Sequence, residues 1–341
     1  MMKHLLVIRL SAMGDVAMIV PVIRALVQQH KNVKVTVVSR PFFQPFFENI
    51  ERVDFFGVDL KKRHKGFFGI YRLYKDLKKL KIDLVADFHN VLRSKILRTF
   101  FKLSGIKTAF TDKGRKEKKE LTRLQKKVLK PVKSMSKRHL DTLTSLGFTV
   151  DLSEIFFPEK PVLSDEILAF TTEKAANKWI GIAPFAQYET KVYPLDLMQK
   201  VMVQLSQKPN IKIFLFGGQN ELNLLKELKQ NLDNVILVPE ILNFKQELQL
   251  ISHLDVMLSM DSGNGHLAAM YGVKVISLWG HTHPFAGFVP FNQPLSNSLI
   301  PDLQQFPFLP TSVYGNKKVA GYENVMRTIQ PEVVVEKVLR N

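Results

Sequence analysis

An α/β fold class is predicted: two Rossmann-like domains, each a parallel sheet with helices on both faces. Short, almost continuously apolar runs alternate with segments of helical period, the pattern of strands buried on both sides. The alternation occurs twice, and an irregular, Pro-bearing stretch at 149–166 separates the two series. A length of 341 residues suits two domains of ordinary size, and 45% hydrophobic content supplies their cores. The expected domains are 1–160 and 161–341.

The first series reads HLLVIRL (4–10), KVTVVS (34–39), RVDFFG (52–57), DLVADF (83–88) and KTAF (107–110) as strands. Amphipathic segments such as DVAMIVPVIRALVQQH and FFGIYRLYKDLKKLK fall between them. Strands of the second series are WIGIAPF, KIFLFGG, NVILVP, DVMLSM and KVISLW. Its helices are PLDLMQKVMVQLSQ, NELNLLKELKQNL, NFKQELQLISHL and NGHLAAMYG. The closing PEVVVEKVLRN predicts a final helix with Pro331 in its first turn, one that could pack back on the first domain. The charge-dense run 111–139 reads either as a solvated helix or as a flexible basic arm over a ligand.

Composition narrows the function classes. Zero Cys excludes disulfides, thiolate chemistry and Cys-based zinc sites. No apolar run approaches the roughly 18 residues of a spanning helix. Arg9 and Asp15 interrupt the apolar N-terminus, which argues against a signal peptide and for a cytoplasmic location. Net charge is +18, very unevenly spread. Residues 1–170 hold 34 Lys and Arg against 17 Asp and Glu, whereas 171–341 hold 15 against 14. Within 61–138 the ratio is 26 to 6. One half of the chain is therefore expected to meet an anionic partner or membrane surface.

Ligands of open parallel sheets bind beyond the carboxyl ends of the strands. After the first strand comes SAMGD, where Gly14 permits a tight turn. Asp15 there is either a helix-dipole partner or a general base. Neither a GxGxxG fingerprint nor a GxxxxGK[ST] loop is present, so hydride transfer and P-loop chemistry lose weight. His89, Arg93 and Ser94 follow DLVADF, and an Arg there can grip carboxylate or phosphate or simply face solvent. Lys191, in PFAQYETKVYP, is a phosphate contact or an ordinary surface lysine. Glu221 follows Gly217 and Gly218 in FGGQNE, where a carboxylate can accept from ribose hydroxyls or complement a helix end. In SMDSGNGHLAAMYG a strand hands over to a helix at Asp261, Ser262, Gly263 and His266. These four residues are a helix cap or an anion site. His281 and His283 form a His-x-His pair without a third ligand nearby, so no metal is expected there.

Taken together, these motifs resemble the lipopolysaccharide heptosyltransferases of glycosyltransferase family 9. The resemblance runs in order through VIRLSAMGDVAMIVPVIRAL, DFHNVLRSKIL (87–97), KRHLDTLTSLGF (137–148), APFAQYETKVYPLDLMQKV (183–201), LFGGQNEL (215–222) and SMDSGNGHLAAMYGVKVISLWGHTHPFAGF (259–288). The last block is the most specific. The resemblance implies a GT-B fold, with parallel sheets facing an interdomain cleft. It implies inverting, metal-independent transfer without a cofactor, of a heptose from ADP-heptose to the lipopolysaccharide inner core. By the same resemblance Asp15 is the general base. Lys191, Glu221, Asp261, Ser262, Gly263 and His266 bind the donor. Arg63, His89 and Arg93 bind the anionic lipid A–core acceptor. The implied location is cytoplasmic, peripheral at the inner membrane surface. The chain departs from the family where PFAQYET lacks the frequent hydroxyl residues at Phe185 and Ala186, and where Ser262 replaces a common Thr.

Three other readings compete. A different nucleotide-sugar donor is compatible with the same motifs. A sugar-nucleotide epimerase of similar architecture would leave the basic half without a purpose. Nucleic-acid binding would explain the charge, but 111–139 carries no aromatic platform and no nucleic-acid motif is present.

Overall fold

The protein was analysed as a computed structural model, which describes residues 2–171 and 177–340. Two units are distinguished, one of Met1–Arg115 with Lys133–Phe157, the other of Lys116–Val132 with Pro158–Asn341.

In the first unit the chain runs through β1 Lys3–Ile8, α1 Met13–Gln29, β2 Val33–Ser39, β3 Val53–Gly57 and α2 Gly66–Lys78. It continues through β4 Leu84–Asp87, α3 Leu92–Leu103 and β5 Lys107–Phe110. α4, Arg115–Leu121, leads into the second unit, and α5, Met135–Ser145, returns to the first. The strands form one sheet of order β3-β2-β1-β4-β5, parallel throughout. Ile8 pairs with Asp87 at the end of the β1–β4 ladder, so the loops after β1 and β4 emerge side by side. α2 buries a stripe of Ile70, Leu73, Tyr74 and Leu77, spaced for one helical face. That stripe packs with Leu97 and Phe101 of α3 over Leu6, Ile8 and Val85.

The second unit contains α6 Asp165–Leu168, β6 Lys178–Ala183, α7 Leu195–Ser206, β7 Ile211–Leu215 and α8 Leu222–Lys229. There follow β8 Val235–Leu237, α9 Val238–Ile241, α10 Phe244–Ser252, β9 Val256–Met260 and α11 Gly263–Met270. β10 Lys274–Leu278, β11 Ser298–Leu299 and α12 Pro331–Leu339 complete it. Its sheet, also parallel, has the order β11-β10-β9-β6-β7-β8. Ile182 and Leu258 lie inside it beneath Met198, Val201 and Leu205 of α7, with Val334 and Val338 of α12 in the same cluster. Full burial of each such side chain contributes about 1.5–3 kcal/mol.

All ten expected strands form, with ends that differ by a few residues. Arg9 and Leu10 lie beyond β1, in the loop that carries Asp15 into α1. NVILVP stops being a strand at Leu237, because Pro239 has no N–H for a ladder and starts α9 instead. The basic run 111–139 is divided. It holds α4, an irregular stretch and the start of α5.

The irregular stretch is fixed to the second unit by specific contacts. Lys127 Nζ donates to the carbonyls of Leu121 (3.2 Å), Phe308 (3.0 Å) and Pro310 (2.6 Å). The N–H of Val132 donates to Phe285 O at 3.0 Å. Buried Lys118 holds its ammonium 3.9 Å from the centre of the Phe288 ring, an attraction between cation and ring face. Burial lowers the Lys127 pKa to about 8, which leaves it mostly charged at pH 7. Replacing Lys127 by Met keeps the apolar stem and removes all three bonds. Trypsin is expected to cut 116–132 several-fold faster in Lys127→Met, with little change in the melting of the whole. Equal cutting rates would show that the three bonds do not fasten the segment.

Candidate active site

In the first unit the loops after β1, β4 and β5 bring together Arg9, Asp15, His89 and Lys113. Arg9 pairs with Asp15 Oδ2, and the N–H of Ala12 donates to the same oxygen at 3.2 Å. Asp15 thus stands in the first turn of α1, held from both sides of its own loop. The second nitrogen of Arg9 reaches Phe88 O at 2.8 Å, tying the β1 loop to the β4 loop. His89 Nδ1 accepts from the N–H of Leu10 at 3.4 Å. Below it, fully buried Asp87 accepts from the N–H groups of His89 (3.0 Å) and Asn90 (2.7 Å) and pairs with Arg98 at 3.1 Å. Burial pushes the Asp87 carboxyl above the usual range, against the opposing pull of these donors.

Burial, then the charges of Arg9 and Lys113, lower His89 to about 3, with Asp15 and Arg93 also acting on it. Lys113 is itself shifted down by burial and by Arg9 and Arg115. Arg93 lies exposed on α3. Arg63 is committed elsewhere: its Nε and Nη2 bind Asp76 Oδ2 of α2 at 3.1 and 2.7 Å.

The second unit assembles Lys191, Asp261 and Thr282 from the loops after β6, β9 and β10. Lys191 Nζ lies 3.3 Å from Asp261 Oδ2 and donates to Asp261 O at 2.5 Å. Thr282 Oγ1 donates to Asp261 Oδ2 at 2.8 Å. Lys191 and Asp261 are only 12% and 11% exposed, so this is a largely desolvated pair. Backbone packing sets the lysine's place. A Cβ on Gly280 would stand 2.2 Å from Thr190 O, and one on Gly315 would stand 2.6 Å from Lys191 Cγ. Only glycine lets both chains come this near.

Ser262 occupies the N-cap of α11, but its side chain makes no capping bond. Its hydroxyl instead meets Ser259 Oγ at 3.1 Å. Gly263 opens the helix and His266 is buried in its first turn. Ser262 is thus an N-cap by position alone, and the start of α11 takes no side-chain acceptor from it. Glu221 ends a short turn after β7, where its Oε2 accepts from the N–H of Gly218 at 2.7 Å.

The His-x-His pair is built into the fold. His281 Nδ1 meets Thr311 Oγ1 and its Nε2 meets Tyr322 O, each at 2.9 Å. His283 Nδ1 accepts from the N–H of Phe285 at 3.1 Å, and burial together with Lys127 lowers it to about 4. Arg9, Lys113 and Thr282 were not singled out by sequence reasoning. Arg9 lies near the end of an expected strand, Lys113 and Thr282 closely follow one, and Lys113 also lies in the charge-dense run 111–139, but nothing in the sequence shows their partners.

Residues 70–307 match the family model "Glycosyltransferase family 9 (heptosyltransferase)". The lipopolysaccharide core heptosyltransferase OpsX of Haemophilus influenzae is 23% identical over 300 residues, 85% of this chain and 82% of that protein. A solved family 9 glycosyltransferase from Veillonella parvula superposes with a TM-score of 0.75 at 16% identity, covering 99% of this chain and 98% of the other. The ADP-heptose LPS heptosyltransferase II of E. coli gives 0.68 at 18% identity, covering 99% and 97%. At such identities the structures speak to the fold, which is the expected GT-B class of two parallel α/β units.

Both lowered histidines have a stability consequence. In the unfolded chain a histidine takes up a proton below about 6.5. In the fold His89 and His283 do so only near 3 and 4. Between these values the unfolded state binds more protons, so their stabilisation is complete above pH 6.5 and is lost as pH falls toward 4. Ring signals of His89 and His283 should stay those of neutral imidazole from pH 7 to about 5, while the urea midpoint falls over that range. Protonation of either ring near 6.5 would mean that it is solvated.

Proposed function

The chain belongs to glycosyltransferase family 9 (heptosyltransferase), and we propose that it moves a heptose from ADP-heptose to an anionic lipopolysaccharide inner-core acceptor, with inversion and without a metal. The observation that carries this reading is the meeting of Lys191, Asp261 and the uncapped start of α11 at the carboxyl ends of β6 and β9. A lysine and a helix N-terminus side by side suit a diphosphate. The name of the similar E. coli enzyme, an ADP-heptose LPS heptosyltransferase, supports the choice of donor. Membership of a transferase family speaks against the epimerase alternative.

In the proposed step the Asp15 carboxylate takes the proton of an acceptor hydroxyl. The freed oxygen pair forms a bond to the anomeric carbon of heptose as the carbon–oxygen bond to the diphosphate breaks, and that electron pair leaves on the diphosphate. A single displacement of this kind inverts the anomeric centre. Charge building on the leaving group is met by Lys191 and by the α11 N–H groups, an electrostatic task that preorganised donors perform without a cation. Asp261 holds sugar hydroxyls, Ser262, Gly263 and His266 face the diphosphate or sugar, and Glu221 accepts from ribose. Each of these roles asks a residue to exchange a partner it has within the protein. Glu221 leaves the Gly218 N–H, and Lys191 shares its ammonium with phosphate.

On the acceptor side His89 and Arg93, beside Asp15, are proposed to face the anionic core, with Lys113 added by its place in the same cluster. Arg63 joins them only if it leaves Asp76. The enzyme is proposed to work at the inner membrane surface, where its lipid-bearing acceptor resides. Among the described residues no helix is long and apolar enough to cross a membrane.

Calorimetry with ADP, UDP, GDP and TDP, with and without divalent cation, tests the donor. Selective, metal-independent ADP binding is expected, and preference for another nucleotide would overturn ADP-heptose. Asp15→Asn should bind ADP as the parent does and lose transfer by several orders of magnitude. Lys191→Ala should lose about tenfold to a hundredfold in ADP affinity, the scale of one charge-assisted contact. Unchanged turnover in the first variant, or unchanged affinity in the second, would remove that residue from its role.

A further inference from the structure

The outer face of α2 carries large rings where a soluble surface ordinarily has none. Phe67 is 59% exposed, Phe68 76% and Tyr71 40%. All three lie within the first two turns of the helix. The inward stripe of α2 is already filled by Ile70, Leu73, Tyr74 and Leu77, so these rings are a second apolar face and not a misplaced core. They form a continuous ridge with Phe100 of α3. Phe67 lies 6.0 Å from Phe68 and 5.9 Å from Phe100, and Tyr71 lies 5.4 Å from Phe100. Such a contiguous patch marks an interaction surface.

Charge around the ridge identifies the partner. Residues 61–81 contain nine Lys and Arg, all exposed, and one acid, Asp76, already paired with Arg63. Lys61, Lys62 and Lys65 precede the rings, while Arg72, Lys75 and Lys78 follow them along the helix. Lys75 leans over the Tyr71 ring with its ammonium 4.9 Å from the centre. Aromatic tips framed by long basic side chains match the boundary between acyl chains and anionic headgroups: rings enter the boundary, and ammonium groups stay at phosphate level. A second copy of this chain fits poorly, since it would bring nine further positive charges against these. Nucleic acid fits poorly too. The ridge rings meet edge to face, at 80°, 66° and 69°, and so offer no parallel platform for stacked bases.

We propose that the α2 face centred on Phe67, Phe68 and Tyr71 is the surface by which the protein docks on an anionic lipid bilayer. The proposal rests on the reading that the acceptor is lipid-borne, and it names the residues that bring the enzyme to that lipid.

Co-sedimentation with phosphatidylcholine vesicles, with and without phosphatidylglycerol, tests it without donor or acceptor present. The parent protein is expected to pellet with the anionic vesicles and to stay in solution with the neutral ones. Phe67→Ser combined with Phe68→Ser should lower the partition at least about tenfold. Lys61→Glu, Lys62→Glu and Lys65→Glu together should do the same. Both sets should retain the parent's circular dichroism and ADP affinity, which separates lost docking from lost folding. Equal partition of parent and serine variant, or no preference for anionic vesicles, would overturn the proposal. So would release from the vesicles by a single-stranded oligonucleotide, with affinity for it lost in the serine variant, since that would assign the face to nucleic acid. Failure of the parent to bind ADP would strike the donor reading, while the vesicle comparison would still decide this one.

Discussion

Strand order is the constraint from which the rest of the site follows. In each sheet the first strand of the unit lies inside, with the second and third to one side and the fourth and fifth to the other. β1 therefore neighbours β4, and β6 neighbours β9. At those two places connections from adjacent strands lead in opposite directions and leave a crevice at the carboxyl ends. The residues argued to do chemistry stand there. Asp15 follows β1 and His89 follows β4, and Arg9 ties their loops together through Phe88 O. Lys191 follows β6 and Asp261 follows β9, and they pair with each other. One topological rule, applied twice, accounts for both constellations.

The two units then diverge in charge rather than in plan. The first carries buried and half-buried cations around its crevice, and these add to burial in holding His89 neutral well below its ordinary range. Its surface adds the basic α2 face. The second has a much smaller excess, 23 Lys and Arg against 19 Asp and Glu, and its cation at the crevice, Lys191, is matched by Asp261. A strongly basic unit suits a polyanionic, lipid-borne acceptor that must be gathered from a surface. A more nearly balanced unit with a lysine beside a helix start that Ser262 does not cap suits a small diphosphate that must be bound and then released.

Much of this could be read from the sequence, for a physical reason. Strands buried on both faces are apolar at nearly every position, so runs such as DVMLSM stand out without any alignment. Their order as β-α repeats fixed the fold class, and the rule of carboxyl ends picked out Asp15, His89, Lys191, Glu221 and Asp261. What escaped was information about register and neighbours. β11 pairs through only two residues, too few to show a pattern. Arg9 looked like an interruption of an apolar run, and its bond to a carbonyl 79 residues away is invisible in one dimension. Lys127 lay in a charge run that reads as solvated. One of its carbonyl partners is Leu121, at the end of α4, and the other two lie more than 180 residues away in a loop it meets only after folding. Arg63 has a partner in the fold that its sequence context does not show. A basic residue in a basic stretch invites an acceptor role, while the local geometry gives it a carboxylate partner at Asp76.

The way Lys191 is held bears on the ligand role proposed for it. A lysine whose only partner were a carboxylate would be drawn out of position whenever that carboxylate turned to another donor. Here the ammonium also rests on the main-chain oxygen of Asp261, and the stem is packed against Gly315, with its loop pressed by Gly280. Main-chain groups and close glycine contacts have fewer ways to rearrange than a free side chain. In the proposed function the Asp261 carboxylate is the partner that turns to sugar hydroxyls, with Thr282 on Oδ2, and the lysine is the group that stays beside the leaving charge. Fixing the cation through backbone and letting the anion be the adjustable partner is the arrangement that electrostatic catalysis requires, because only donors already in place save reorganisation at the moment of transfer.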